Sequence, residues 1–401
     1  MRRYAELFRT PGTRQAEFFA VIGRFGYIAC GLGVLFLGTA RLGIGTGGLG
    51  AGGLTLGVAV GSPVAGRLSS RYGVSPLYAV LAGASTVGTT LALLGAENGA
   101  GAVFLVGSCL TGATIPPFGA AMRALWPKSG LPEELRAAAN SLESVVTELI
   151  FVFAPPVTGV LAALEPGLGL IAADGCVLLG GIGFSCTGLV RRSLGPRRDT
   201  ASRSVARHRV SVPVVWLVCV GGVTAAVTGA MDVAVVSVLN AAGEAKVAGF
   251  VLLVPALASV VTGTVYGLLP AERAPGRRFG LLLLVWLPPF ALVALASSPW
   301  LLAGALFLAG VPMAAIGVEE FTLLSRAAGD ANLHEVFTWA GAVANVGVAA
   351  GNSLSGFMAQ HLGSSASAWL PAAAVALACA LYFTGSRLSR GSLIILSQGG
   401  K

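Results

Sequence analysis

Apolar residues run along this chain in long uninterrupted blocks, each closed by charged or turn-forming residues. A bilayer core about 30 Å thick is crossed by about 20 helical residues. Six blocks of that length fill the first half, roughly at 16 to 40, 46 to 66, 75 to 95, 101 to 123, 139 to 163 and 167 to 190. After a basic stretch, six more follow, roughly at 212 to 238, 247 to 269, 279 to 297, 299 to 324, 336 to 360 and 366 to 386. The pattern predicts an all-α integral membrane protein of about twelve transmembrane helices.

The positions of the basic residues give the orientation, because short cytoplasmic loops retain Lys and Arg. With both termini inside, all 26 basic residues except Arg24, Arg41 and Lys246 fall in inside segments. An odd number of spans would scramble that bias. The first block follows Arg2, Arg3, Arg9 and Arg14, but it is long and holds Glu17 and Arg24, so it reads as a first transmembrane helix and not as a cleaved signal.

Composition agrees, with 55% hydrophobic and 11% charged residues against roughly 25% charged in a soluble domain. The glycines lie inside the apolar blocks without a collagen period, where small residues let helices approach closely. Cys30, Cys109, Cys176, Cys186, Cys219 and Cys379 are scattered singly and read as small apolar fillers, with neither disulfide nor metal indicated. A net charge of +9 raises the question of nucleic acid. The charge sits in the loops, above all in "RRSLGPRRDTASRSVARHRVS" (191–211), and faces anionic headgroups as a cytoplasmic linker, so no nucleic-acid partner is expected.

That linker divides the chain into a half at 1–190 and a half at 212–401. A weak repeat relates them: "TELIFVFAPPVTG" in span five aligns with "ANVGVAAGNSLSG" in span eleven, setting Glu148 opposite Asn345, Pro155 opposite Asn352 and Gly159 opposite Gly356. The loop after span two also finds a counterpart after span eight, in Gly263, Gly267, Arg273, Arg277 and Arg278. Two six-helix bundles related by an axis along the membrane normal are the expected architecture.

Between spans two and three, "GRLSSRYG" resembles the major facilitator motif G-x-x-x-D-R-x-G, with Gly66, Arg71 and Gly73 matching and Ser70 in place of the aspartate. In span five, "APPVTG" resembles the Gly-Pro motif of drug:proton antiporters, with Pro155 and Gly159 matching and Ala154 where glycine is usual. "RALWPKSGLPEELRAAANSLESVVTEL" (123–149) resembles the passage from helix four to helix five in bacterial multidrug-type members. The resemblance implies the major facilitator fold, an inward gate at the first motif and alternating access of two halves around a midplane site. It also implies a cavity lined by helices one, four, seven and ten.

A charge at the centre of a membrane helix costs roughly 2.5 to 3.5 kcal/mol on insertion scales, so each needs a partner, a wet cavity or a task. On the cavity helices the resemblance points to Arg24, Asp232 and one of Glu319 and Glu320, which project about 100° apart. Arg24 would attract an anionic cargo or hold a carboxylate deprotonated until a proton arrives. Glu17 lies seven residues before it on nearly the same face. Glu148 is the first choice for proton coupling, with Glu319 or Glu320 second. Glu143 reads as a headgroup-level residue, while Asp174 and Asp232 read as reaching the outer interface. Pro116–Pro117, Pro155–Pro156 and Pro288–Pro289 each remove backbone hydrogen bonds and mark kinks, either gating or static.

An ATP-driven pump is disfavoured because no Lys sits in a phosphate-binding loop. A membrane hydrolase is disfavoured because His208, His334 and His361 lie in loops or at helix ends and no H-E-x-x-H or G-x-S-x-G occurs. The expectation is a monomeric inner-membrane transporter, without cofactor, that exports a small hydrophobic or amphiphilic molecule in exchange for protons. Proton-linked import of a metabolite and a non-transporting sensor are the alternatives. A fluorescent protein fused after Lys401 is expected to fluoresce in bacteria, while alkaline phosphatase inserted at the 97–100 turn is expected to be active; the reverse result refutes the orientation.

Overall fold

The computed structural model describes residues 7, 11–129, 133–196, 212–267, 275–296, 298–328 and 333–388. Their regular structure is helical throughout. The first unit holds α1 (Thr13–Leu42), α2 (Ile44–Tyr72), α3 (Val74–Glu97), α4 (Gly101–Thr114), α5 (Phe118–Leu125), α6 (Glu133–Leu164), α7 (Leu168–Cys186) and α8 (Gly188–Ser193). The second holds α9 (Val212–Ala241), α10 (Ala248–Gly267), α11 (Pro275–Leu295), α12 (Pro299–Ala328), α13 (Leu333–His361) and α14 (Ser364–Leu388). Of the expected linker, positions 197–211 lie outside the described residues, as do Arg2, Arg3, Arg9, Arg273, Arg390 and Lys401.

Each expected span is helical over most of its described residues, and spans four and eleven differ in detail. Span four is two helices, because Ile115, Pro116 and Pro117 leave the helical path between α4 and α5. Proline lacks the N–H that would continue the ladder and excludes its predecessor from helical backbone. The Pro117 carbonyl, which opens α5 by accepting from the Ala121 N–H at 3.1 Å, also accepts from the Tyr78 hydroxyl at 3.0 Å, so α3 is tied to the kink. Pro155 with Pro156, and Pro288 with Pro289, instead sit inside continuous helices, α6 and α11.

The second difference concerns span eleven. Eleven segments among the described residues are long and apolar enough to cross a membrane, and α13 is not one of them. Its 29 residues reach roughly 44 Å, ample for a bilayer, but Asn345, Asn352, Ser353 and Ser355 dilute its hydropathy. Contact with α9 compensates. A Cβ on Gly347 would lie 1.9 Å from the Gly222 carbonyl oxygen, and one on Gly351 would lie 2.2 Å from that of Ala226. Two glycines four apart thus let the two backbones touch, the packing by which small residues hold membrane helices together.

The two units repeat one packing scheme. In the first, α1 packs on α6 and α7, α4 packs on α2 and α3, and α3 packs on α7. In the second, α9 packs on α13 and α14, α12 packs on α10 and α11, and α11 packs on α14. Span for span, these are the same pairs, so the repeat that sequence shows weakly is written in the contacts.

Gly351→Ala and Gly347→Ala are expected to destabilise the protein by roughly 1–3 kcal/mol each through backbone overlap. Gly341→Ala, which meets no atom within 4 Å, is expected to leave stability unchanged. Thermal unfolding in detergent separates the two classes.

Candidate functional site: a buried carboxylate–guanidinium cluster

In the first unit, α1, the turn after α5 and α6 bring four polar side chains together inside the protein. Glu17 and Arg24 are two helical turns apart on α1, so they share a face. The Arg24 guanidinium donates through Nη2 to Glu17 Oε1 at 3.1 Å and through Nη1 to Glu143 Oε2 at 2.7 Å. The Trp126 indole N–H donates to Glu143 Oε1 at 2.9 Å. Glu17 is 6% exposed, Arg24 8% and Glu143 0%.

The Pro116–Pro117 break makes this meeting possible. It redirects span four so that the Phe118 ring enters the notch left by Gly23, where a Cβ would come within 2.3 Å of the ring. That ring joins Tyr78 and Phe184 in an aromatic cluster with centroids 5.6 to 6.1 Å apart. From this anchor α5 leads directly to Trp126, which is 2% exposed and faces Glu143. Two buried polar atoms of the cluster have no hydrogen-bond partner, Glu17 Oε2 and Arg24 Nε.

Glu143 therefore departs from its expected place near the headgroups. It is fully buried, because Arg24 and Trp126 satisfy both its oxygens. Arg24, with both terminal nitrogens engaged by carboxylates, fits the role of holding a carboxylate ionised and not that of capturing an anionic cargo. Asp174 also departs from the interface reading: it is 4% exposed and accepts from Ser85 Oγ at 2.9 Å, between α3 and α7.

Glu148 stands on another side of α6. It is exposed and makes no hydrogen bond or ion pair among the described residues. Val145, Leu149, Phe153, Val157, Val160 and Leu164 form an exposed apolar stripe on this helix, 43 to 73% accessible. At 100° per residue, Glu148 points about 120° away from the centre of that stripe. It thus points away from that stripe, with the exposed Phe151 about 60° to one side of it.

In the second unit, adjacent Glu319 and Glu320 diverge as their spacing requires. Glu319 is buried, accepts from the Tyr266 hydroxyl at 2.5 Å and lies 3.8 Å from Arg278 Nη1. The Arg278 guanidinium also lies over the Tyr266 ring, 4.5 Å from its centroid, tying α10, α11 and α12 together. Glu320 turns toward α9, where Thr224 Oγ1 donates to it at 3.4 Å and Gly221 leaves room for its carboxylate. Asp232 is half-buried on α9 and makes no hydrogen bond or ion pair among the described residues. Among the described residues, no group of three His, Cys, Asp or Glu could hold a metal ion.

The motif loop has a local explanation. Gly73 ends α2 at φ +85°, which favours glycine, and a Cβ there would lie 3.0 Å from Pro196 Cδ. The Val74 N–H then donates to the Leu194 carbonyl at 3.0 Å. Gly66 has open space around it, Ser70 caps the Arg67 carbonyl at 2.7 Å, and Arg71 rests over the Tyr72 ring at 5.3 Å. Pro155 and Gly159 are both buried in α6.

No protein-family model and no curated protein matches the sequence. Solved structures do. The nucleoside transporter NupG superposes with a TM-score of 0.71 at 11% identity, over 92% of this chain and 99% of that one. The fold is that of major facilitator transporters. A bacterial homologue of the iron transporter ferroportin, in its inward-facing state, matches with a TM-score of 0.68 at 15% identity, over 93% of this chain and 98% of that one. A POT family transporter in complex with 5-aminolevulinic acid matches at 0.66 and 13% identity, over 94% and 96%. These matches cover 92 to 94% of the chain, and transporters of chemically unrelated cargo share this fold.

Sequence reasoning set Glu17 on the face of Arg24 but missed Glu143 and Trp126 as its further neighbours, and Tyr266 and Arg278 as partners of Glu319. The signal for the first set was charge economy: one arginine in a membrane helix calls for a carboxylate, and Glu143 is within reach only when spans one and five pack. Arg24→Ala is expected to destabilise the protein by about 3–5 kcal/mol, since it strands two buried carboxyls. Trp126→Phe is expected to cost about 1–3 kcal/mol by leaving Glu143 Oε1 unsatisfied. Denaturation midpoints of the purified variants check both.

Proposed function

We propose that the protein is a secondary active transporter that exports a small hydrophobic or amphiphilic molecule in exchange for protons. The observation that carries this reading is the likeness of more than nine-tenths of the chain to solved transporters. In this reading the halves at 1–190 and 212–401, joined by the 191–211 linker, alternate access to a midplane site. The chain works as a monomer in the inner membrane with both termini in the cytoplasm, as its loop charges support.

Proton coupling is supported by the balance of charge among groups within the helices. Glu148 and Asp232 have no cationic partner among the described residues, and Glu320 has only a hydroxyl. Carboxylates placed this way exchange protons with whatever reaches them, the property an antiporter requires. Glu148, exposed and off the apolar stripe, is assigned the coupling proton; Asp232, Glu319 and Glu320 are assigned to the second half's share of the cargo and proton path. Export is supported by the span-five motif, of which Pro155 and Gly159 are present.

Everted vesicles from an efflux-deficient host, loaded with a pH-sensitive dye and energised, test this with a panel of antibiotics, dyes and metabolites. Proton release that depends on an added compound and is lost in Glu148→Gln is the expected result. Release that persists in the variant moves the coupling proton to another carboxylate. No response to any compound favours an importer or a non-transporting sensor.

A further inference from the structure

The Arg24 cluster holds one guanidinium and two carboxyl groups, and its hydrogen bonds distinguish the two carboxyls. Both oxygens of Glu143 are acceptors, one from Arg24 Nη1 at 2.7 Å and one from Trp126 Nε1 at 2.9 Å. A protonated Glu143 would have to point its own hydroxyl at a donor, so this carboxyl is the anion, and it balances the guanidinium. Glu17 receives a single longer bond, 3.1 Å from Arg24 Nη2, and its Oε2 is buried without a partner. An ionised Glu17 would be a second negative charge with no cation left to balance it, in a site closed to water.

We propose that Glu17 Oε2 is a proton-binding site of the first unit, occupied in the conformation described here, with Glu143 the permanent anion that keeps Arg24 charged. The charged groups facing Glu17 are Arg24 from its own helix and Glu143 from α6. The proton leaves when water reaches Oε2: the O–H bond breaks, water takes the proton as hydronium, and the carboxylate remains on Arg24 Nη2. Trp126 is a positioning residue, since its indole N–H holds Glu143 Oε1 as an acceptor and so favours Glu143 as the anion. Use of this proton in transport rests on the antiport reading above, but the site itself does not. It is distinct from Glu148, which lies on another side of α6.

The test needs no cargo. Infrared difference spectra of the purified protein in lipid, titrated from acid to alkaline, report protonated carboxyl groups through their C=O stretch. A band lost on alkalinisation, absent from Glu17→Gln and retained in Glu148→Gln, is the expected result. Glutamine keeps an acceptor for Arg24, so the variant is expected to fold. Identical spectra for wild type and Glu17→Gln would overturn the proposal. A second measurement uses the unmodified chain: dicyclohexylcarbodiimide adds to protonated carboxyls in apolar surroundings, and peptide mass analysis locates the adduct. Label on Glu17 with none on Glu143 supports the assignment, and label on Glu143 in its place overturns it. A Glu17 signal in a chain that moves no protons in vesicles would count against antiport and leave this site standing.

Discussion

A guanidinium cannot be left alone inside a protein, and the first unit is arranged around that constraint. Arg24 sits ten residues or more from either end of α1 and is only 8% exposed, so its charge has to be met by side chains of the unit. Glu17 comes from the same helix and Glu143 from α6, 119 residues away. Holding them together requires α1 and α6 to pack, span four to break at Pro116–Pro117, and Gly23 to admit Phe118. Loss of any of these would leave buried charge without a partner.

The second unit meets its own constraint differently. Its fold repeats the pairing of the first, but Gly347 and Gly351 on α13 against Gly222 and Ala226 on α9 replace charge with backbone contact. The ion pair of Arg278 with buried Glu319 is long and is reinforced by the Tyr266 hydroxyl and ring. The same scaffold thus carries different polar chemistry in each half. That agrees with a fold shared by a nucleoside transporter, a homologue of an iron transporter and a POT family transporter, since cargo is decided by side chains set on a common frame.

Much of the fold was legible in sequence because its cause is one-dimensional: blocks of about twenty apolar residues and basic loops on alternate sides require no tertiary knowledge. Span eleven tests that rule. Its asparagines and serines weaken the hydropathy signal, and only the glycines facing α9 explain why it packs among the spans. The site was less legible because its partners are distant in sequence. Depth along a helix was taken as the guide to Glu143 and Asp174, yet both are buried by partners on other helices, Trp126 with Arg24 and Ser85. Helical spacing served better where partners share a helix, as for Glu17 with Arg24 and for the divergence of Glu319 from Glu320.

The proposed coupling of a proton gradient to movement of a small molecule is tested most directly by reconstitution. Purified protein in liposomes, with an imposed pH difference as the sole energy source, is predicted to drive a responsive compound against its own gradient. That accumulation is predicted to vanish when a protonophore collapses the pH difference. Accumulation indifferent to the protonophore, or equal in liposomes without protein, would contradict the account.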